Sequence, residues 1–262
     1  MHQELSAVLE TVDAGWRPVE RAGRTFWLGL YQGHEVVAVL SRIGKVAAAA
    51  TAVTLIEHFQ AGRIVFTGVA GGLGDGVQVG DMVVADAFVQ HDMDASPLFP
   101  RHEVPLYGRS RFETDEALRA EVLAAAVAIA DRPQAAIDVG ALSALGVHAP
   151  RVHSGLVASG DRFVSTAAES GLLRQTLPAA LAVEMEGAAF AQVCSDYGVP
   201  FAAMRTISDR ADDSAHVDFM RFIESVASHY SAALVVHLLR ALPPTLSLIH
   251  ISEPRDATLS RM

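Results

Sequence analysis

Apolar residues along this chain alternate between the spacing of helices and the denser pattern of strands. Apolar side chains three and four positions apart in residues 1–12 predict a short helix that begins almost at the first residue, with no strand before it. Residues 25–31 and 35–40 are rich in strand-forming side chains on either side of a Gln-Gly-His turn, which predicts a hairpin. The alanine-rich stretch 44–59 predicts a largely buried helix.

Short apolar runs that end in polar or glycine residues predict further strands, at 63–67, 81–89, 152–158, 181–183 and 200–207. The first of them stops at Gly68, where six glycines in 68–80 predict a loop that a ligand can approach closely. A helix is predicted at 115–130, with Thr114 as its N-cap. A second begins after the Glu-Met-Glu sequence 184–186 and extends to about 197, and a third spans 217–242. This alternation predicts a layered α/β fold with helices on both faces of a sheet.

The composition supports a single folded unit. With 262 residues, 51% of them hydrophobic, the chain is long enough to bury a substantial core. No internal repeat or linker divides it, so we expect one domain over residues 1–244. Residues 245–262 are polar and aperiodic, and we expect them to be loose or to be an extension introduced by cloning.

The charge narrows the class of partner. A net charge of −10 argues against a nucleic acid or an anionic membrane as the main partner, since both require concentrated Lys and Arg. A small molecule or another protein remains. The single cysteine, Cys194, cannot form an internal disulfide, which indicates a reducing compartment. The first residues lack the pattern of a signal peptide and no apolar run is long enough to span a bilayer, so we expect a cytoplasmic protein.

Candidate chemistry lies where the apolar strands end, at 68–72, 184–186 and 208–209. In open α/β sheets that edge is where ligands usually bind. The glycine-rich segment has neither the Gly-Lys-Ser/Thr ending of a P-loop nor the Rossmann fingerprint, which disfavours binding of a nucleotide phosphate. A metal site is suggested by His91, Asp92 and Asp94, but two carboxylates and one histidine in a loop are weak evidence for it. We therefore expect no metal and no cofactor.

Five motifs occur in order along the chain, at 41–49, 67–73 with 79–81, 159–163, 183–189 and 205–209. Together they resemble the 5′-methylthioadenosine/S-adenosylhomocysteine nucleosidases of the nucleoside phosphorylase superfamily, from Met1 to about Leu242. The resemblance implies a three-layer αβα sandwich with a mixed central sheet, a purine nucleoside substrate and a homodimer. Members of that family begin with a strand before the methionine that corresponds to Met1, so either the start of the chain is truncated or the sheet lacks an edge or central strand.

The resemblance assigns three catalytic residues. Asp209 is expected to protonate N7 of adenine, because a purine is a poor leaving group until a ring nitrogen is protonated. The hydroxyl of Ser208 helps to position Asp209. Glu4 matches the glutamate that orients water beneath C1′ while the sugar acquires oxocarbenium character, by the logic of O-glycoside hydrolysis.

The resemblance also assigns substrate-binding positions. Glu186 holds the ribose hydroxyls, Met185 packs against the sugar, Phe163 stacks on adenine and the backbone of Val164 reads the Watson-Crick edge of the base. Three more positions complete the expected binding set: Glu184, Gly71, and Val69, where these nucleosidases usually have serine.

Alternatives remain open at this point. Asp209 can be a helix cap or turn residue, Glu186 can simply open its helix, and Glu4 can be a solvated charge. Met185 and Phe163 can be plain core residues. Phe66 stands where phosphorylases of the superfamily have an arginine that binds phosphate, which favours water as the nucleophile. The competing functions are a purine nucleoside phosphorylase, a futalosine-type nucleoside hydrolase and an inactive nucleoside-binding module.

Overall fold

A computed structural model describes residues 2–135, 137, 142, 147, 149–211, 222 and 226–241. The helices are α1 (His2–Thr11), α2 (Lys45–Glu57), α3 (Glu116–Asp131), α4 (Ala167–Thr176), α5 (Gly187–Tyr197) and α6 (Ser228–Ala241), with a 3₁₀ turn at Pro133–Ala135. The strands are β1 (Arg17–Arg21), β2 (Arg24–Tyr31), β3 (His34–Val39), β4 (Ile64–Gly72), β5 (Met82–Gln90), β6 (Arg111–Glu113), β7 (Val152–Ser159), β8 (Ala180–Glu184) and β9 (Phe201–Asp209).

The strands form two sheets. β1, β2 and β3 make an antiparallel three-stranded sheet, and six strands make a mixed sheet in the order β6-β5-β7-β8-β4-β9. β9 also pairs with β5, so the larger sheet closes on itself. Within the described strands no backbone ladder joins the two sheets, but they share one apolar core in which Phe26 and Val39 pack with residues of β4.

Helices cover the larger sheet on two sides. On β5, Val83 and Ala85 belong to the core beneath α2 and α5, whereas Met82 and Val84 belong to the core beneath α3 and α6. Successive side chains of a strand point to opposite faces, so a strand covered on both faces is apolar throughout. The mixed α/β architecture with flanking helices, expected from the sequence, is therefore confirmed.

Several local predictions are also confirmed, among them the helix at the start of the chain, the hairpin of β2 and β3, and α2. The end of the predicted strand at Gly68 is wrong, because β4 continues to Gly72 with β9 paired along it and β8 paired at its end. The predicted cap of α3 is also wrong. The carboxylate of Asp115 accepts the N–H of Leu118, whereas the hydroxyl of Thr114 donates to the carbonyl of Ala85.

The sequence pattern missed three elements, β1, β6 and α4. Of the helix predicted at 217–242, the structure describes residues 222 and 226–241, and the segment 245–262 lies outside the described residues. Within the part of the chain that is described, no helix is long and apolar enough to cross a bilayer.

Candidate active site

The carboxyl ends of the strands line up in one row across the larger sheet. Gln90, Ser159 and Glu184 are successive register partners at the ends of β5, β7 and β8. Val183, next to Glu184, pairs with Gly71 of β4, and Gly71 pairs with Asp209 of β9. Four of the five motifs found in the sequence are thus brought together by strand register.

Asp209 ends β9 in a buried position, with 2% of its surface exposed. Its Oδ2 accepts the hydroxyl of Ser208 at 2.8 Å and its Oδ1 accepts the N–H of Ala211 at 2.7 Å. The ladder pairs Ala70 with Ile207 but Gly71 with Asp209, so Ser208 is an additional residue on β9. This bulge brings the carboxylate beside Gly71, where a Cβ atom would lie 3.0 Å from Asp209 Oδ1.

Glu4 lies inside the molecule rather than in solvent. It belongs to α1, and it is 8% exposed. Val8 of α1 and Val12, which directly follows the helix, form an apolar cluster with Ala232 of α6. Its Oε1 accepts the hydroxyl of Ser231 at 3.3 Å. The alternative of a solvated terminal charge is therefore excluded.

Arg205 is a buried cation that sequence reasoning missed. It is 1% exposed in the middle of β9, and its guanidinium donates to Glu184 Oε2 at 2.5 Å. A Cβ atom on Gly68 would lie 2.6 Å from Arg205 Nη1 and 3.9 Å from Glu4 Oε1, so both groups contact this point of β4. The available signal was one charge in the otherwise uncharged stretch 200–207, since arginine is rarely buried without a partner.

Glu184 is held by fixed donors. Besides Arg205, its carboxylate accepts the N–H groups of Glu186 and Gly187 and the hydroxyl of Ser159. The predicted direct role of Glu184 in binding stays a prediction, and its contacts favour the positioning of its neighbours. Such a network of charge-assisted hydrogen bonds fixes the start of α5.

Glu186 is placed differently although it is only two residues away. It precedes α5, and its Oε1 accepts the N–H of Gly44 at 2.9 Å. Burial, together with the negative charge of Glu184, raises the pKa of Glu186 to about 7. A carboxyl group that titrates near neutral pH at a strand end is typical of a functional position.

The remaining predicted residues border this row. Met185 is half-buried, and Phe163 lies at the surface in the segment after β7 with 36% of its area exposed. Val164 is buried in one apolar cluster with Leu173 of α4 and with Leu177, which directly follows that helix. The partly buried Val69 packs toward the core beneath α3 and α6.

The position of Phe66 offers no binding site for an anion. Its ring packs on Phe190 at 4.4 Å between centroids, and the guanidinium carbon of Arg205 lies 3.9 Å from the Phe66 centroid. The cation beside Glu4 is thus paired with Glu184 on one side and covered by an aromatic ring on the other. Among the described residues no group of three or more His, Cys, Asp or Glu is arranged to hold a metal, and Asp92 is paired with Lys45.

The mixed sheet closes on itself and carries buried carboxylates in a row at its strand ends. These features define a phosphorylase-like α/β fold. The chain belongs to the phosphorylase superfamily, whose family model matches residues 1–240. It is 34% identical to the 5′-methylthioadenosine/S-adenosylhomocysteine nucleosidase of Geobacillus kaustophilus over 241 residues, which cover 92% of this chain and 94% of the relative. The resemblance inferred from the motifs is confirmed.

Solved structures agree with this relationship. The same kind of nucleosidase from Neisseria meningitidis, in complex with methylthio-immucillin-A, superimposes with a TM-score of 0.80 at 32% identity, over 92% of this chain and 96% of that one. The futalosine hydrolase of Helicobacter pylori strain 26695 superimposes with a TM-score of 0.77 at 30% identity, over 92% and 95% of the two chains.

Proposed function

We propose that this protein hydrolyses the N-glycosidic bond of 5′-methylthioadenosine and S-adenosylhomocysteine and releases adenine. One observation carries the proposal beyond the relatives' names: two buried carboxylates, Asp209 and Glu4, reach the same stretch of β4, at Gly71 and Gly68. A glycosidic bond is broken by protonation of the leaving group together with activation of a nucleophile, and two such groups supply both functions.

Asp209 acts as the general acid. It gives its proton to N7, the bond between C1′ and N9 breaks, and the ribosyl group becomes oxocarbenium-like. The fixed donors of Asp209, Ser208 and the N–H of Ala211, support this role because they hold the carboxyl group in one orientation. Phe163 and the backbone of Val164 bind the base.

Glu4 orients the attacking water. Its oxygen takes up the proton of the water as the new bond between oxygen and C1′ forms, so the charges balance over the cycle. Glu186 accepts the ribose hydroxyls beside it and Met185 packs against the sugar. Arg205 lies between Glu4 and Glu184, which supports an indirect role in fixing both ends of this carboxylate row.

Water rather than phosphate is the nucleophile in this proposal. A phosphorylase needs a cation that is free to bind an anion, and Arg205 is already paired with Glu184 and covered by Phe66. Hydrolysis of futalosine-like nucleosides is the second candidate, because the structural likeness to the Helicobacter pylori futalosine hydrolase is nearly as high as that to the nucleosidases.

The test is release of the purine base from methylthioadenosine, S-adenosylhomocysteine and a futalosine-type nucleoside, with and without phosphate. We expect release of adenine from the first two without phosphate. A requirement for phosphate would instead identify a phosphorylase, and a preference for the third substrate would identify the futalosine-type enzyme. Adenine binding without any turnover would identify an inactive binding module.

A homodimer is also part of the proposal. Large apolar side chains are exposed at the start of α2 and in the segment after β5, namely Ile43, Val46, Leu98 and Leu106. Lys45 contacts Asp92, so these two segments are neighbours. Exposed apolar side chains on neighbouring segments are typical of a protein interface. Light scattering after size exclusion tests this, and a monomer at micromolar concentration would contradict it.

The domain limits and the location complete the proposal. One nucleosidase domain spans 1–244, since the match to the superfamily covers residues 1–240. Cys194 is a free, buried thiol, which supports a reducing compartment such as the cytoplasm.

A further inference from the structure

Lys45 is the only lysine among the 20 lysine and arginine residues of the chain. It is the first residue of α2, within a motif that the proposed chemistry leaves without a role, and its side chain is 17% exposed. Lysine and arginine are not interchangeable where one compact ammonium group has to reach two acceptors.

Lys45 closes a ring of contacts that joins three separate segments. Its ammonium Nζ lies 2.6 Å from Asp92 Oδ1 and 3.0 Å from Gln90 Oε1, at the end of β5. The other oxygen of Asp92 accepts the backbone N–H of Asp161 at 2.9 Å, just beyond β7. Asp161 Oδ1 in turn accepts the backbone N–H of Lys45 at 2.7 Å. The start of α2 and the ends of β5 and β7 are therefore fixed to one another.

The charges of the ring agree with its geometry. Burial acts to raise the pKa of Asp92, but hydrogen bonds from the Lys45 ammonium and the Asp161 N–H outweigh burial and hold the pKa below its ordinary value. Asp161 accepts one of the first N–H groups of α2, which have no partner within the helix. The ring is thus a charged pair closed by two backbone hydrogen bonds, unlike an isolated surface ion pair.

The ring adjoins the residue assigned to ribose. The N–H of Gly44, directly before Lys45, donates to Glu186 Oε1 at 2.9 Å. Gly44 has φ 94°, a conformation that favours glycine, and a Cβ atom there would lie 3.1 Å from Asp161 Oδ1. The ring therefore orients the N–H of Gly44, which in turn holds the carboxylate of Glu186.

We propose that Lys45 is a positioning residue of this site, an inference that rests on the proposed function. Its ammonium group fixes the start of α2, so that the N–H of Gly44 orients Glu186 toward the ribose hydroxyls. Through Asp161 the same ring anchors the segment 162–164, which contains both residues assigned to adenine. Lys45 acts through these groups and does not touch the reacting atoms.

Lys45→Met tests this role, because it removes the charge and keeps most of the side-chain volume. We expect KM for methylthioadenosine to rise about 10-fold with a smaller change in kcat, because loosely held binding groups weaken substrate binding. The matched control is Arg24→Met. Arg24 Nη2 donates to the carbonyl of Ala47 at 3.0 Å, so it contacts the same helix, but it has no contact with the ring, and KM should not change.

Rebuilding the ammonium group separates positioning from a general loss of structure. Alkylation of Lys45→Cys with 2-bromoethylamine joins Sγ to carbon, expels bromide and restores an amine at nearly the same reach. Burial raises the pKa of the Cys194 thiol to about 12, so that thiol should not react, and mass spectrometry verifies a single addition. We expect KM to be high before alkylation and to return toward the wild-type value after it.

Reductive methylation of the folded wild-type protein provides a measurement that needs no variant to fold. It modifies Lys45 and the N-terminal amine, and a dimethylated ammonium keeps its charge but has one N–H left for two acceptors. We expect KM to rise. The role is overturned if KM stays unchanged in protein whose dimethylation at Lys45 is verified by mass spectrometry, or stays raised after the amine is rebuilt in a protein with the wild-type Tm. A wild-type protein that releases no adenine would overturn the proposed function instead.

Discussion

The two carboxylates assigned to catalysis are held by very different parts of the molecule. Asp209 ends a central strand that is paired on both sides, and two neighbours of its own segment orient it. Glu4 belongs to a short helix at the start of the chain, whose position depends on apolar contacts with α6. The proposed acid is thus part of the sheet, whereas the group proposed to orient water depends on the docking of one helix.

Because of this difference, Asp209 and Glu4 are sensitive to changes in different parts of the structure. A change in the core of the sheet endangers folding and activity together, since the strand that carries Asp209 is also the scaffold. A change between α1 and α6 can displace Glu4 while the base site stays intact. The two halves of the proposed reaction can therefore be perturbed independently.

The largest effect is expected from Asp209→Asn. The amide cannot supply the proton for N7, so adenine release should fall by a factor on the order of 10² or more, as for the loss of a general acid. Steady-state release of adenine measures it. Ser208→Ala is the control, with a smaller loss, because it removes only one donor to Asp209. Near-full activity of Asp209→Asn would show that Asp209 is not the general acid.

Glu4→Gln should come next, with a loss of about 10²-fold in kcat, because the amide accepts no proton from water. Binding of adenine should not change, since the base contacts belong to other segments. Calorimetry with adenine, alongside the rate, distinguishes the two effects. If the variant kept the wild-type rate, Glu4 would have no catalytic role.

A smaller loss is expected from Val12→Ala, which weakens the contact between α1 and α6. Val12 is fully buried there, and the truncation should cost about 2 kcal/mol of stability or less and displace Glu4, which lowers kcat about 10-fold. The matched control is Val122→Ala in α3, an equally buried valine distant in sequence from Glu4. Equal losses of rate in the two variants would contradict the special dependence on α1.

The smallest effect concerns pH and Glu186. Its pKa is raised from 4.5 to about 7, so kcat/KM should fall as the pH drops below about 7, because the protonated group accepts fewer hydrogen bonds from ribose. Glu186→Gln should abolish this limb of the profile. Since the folded state binds the extra proton between pH 4.5 and about 7, stability should decrease as the pH rises through that window, and this dependence should weaken in the variant. A limb that persists in Glu186→Gln would belong to another group.

Much of the architecture could be predicted from local patterns. Strands covered on both faces are mostly apolar, as at 82–85 and 87–89, and the alanine-rich run 44–59 contains a helix with one buried face. The glycines 68–72 misled the prediction, because Gly68 makes room for Arg205 within a strand rather than in a loop. Closure of the sheet by β5 and β9 depends on pairing distant in sequence, which a local pattern does not contain.

The candidate site was predictable to a different degree. The row formed by Glu184, Gly71 and Asp209 follows from strand ends, which the sequence marks with polar residues after apolar runs. The burial of Glu4 could not be predicted, since it depends on α6 near the other end of the chain. Asp115 rather than Thr114 caps α3 because the threonine hydroxyl donates to a carbonyl of β5.

The stacking of Phe66 on Arg205 has a consequence for how this chain can diverge. Arginine at position 66 would set two guanidinium groups against each other in a buried setting, where like charges repel strongly, and would remove the aromatic cover of Arg205. We therefore expect Phe66→Arg alone to destabilise the protein, and a second substitution that removes the charge of Arg205 to relieve the repulsion.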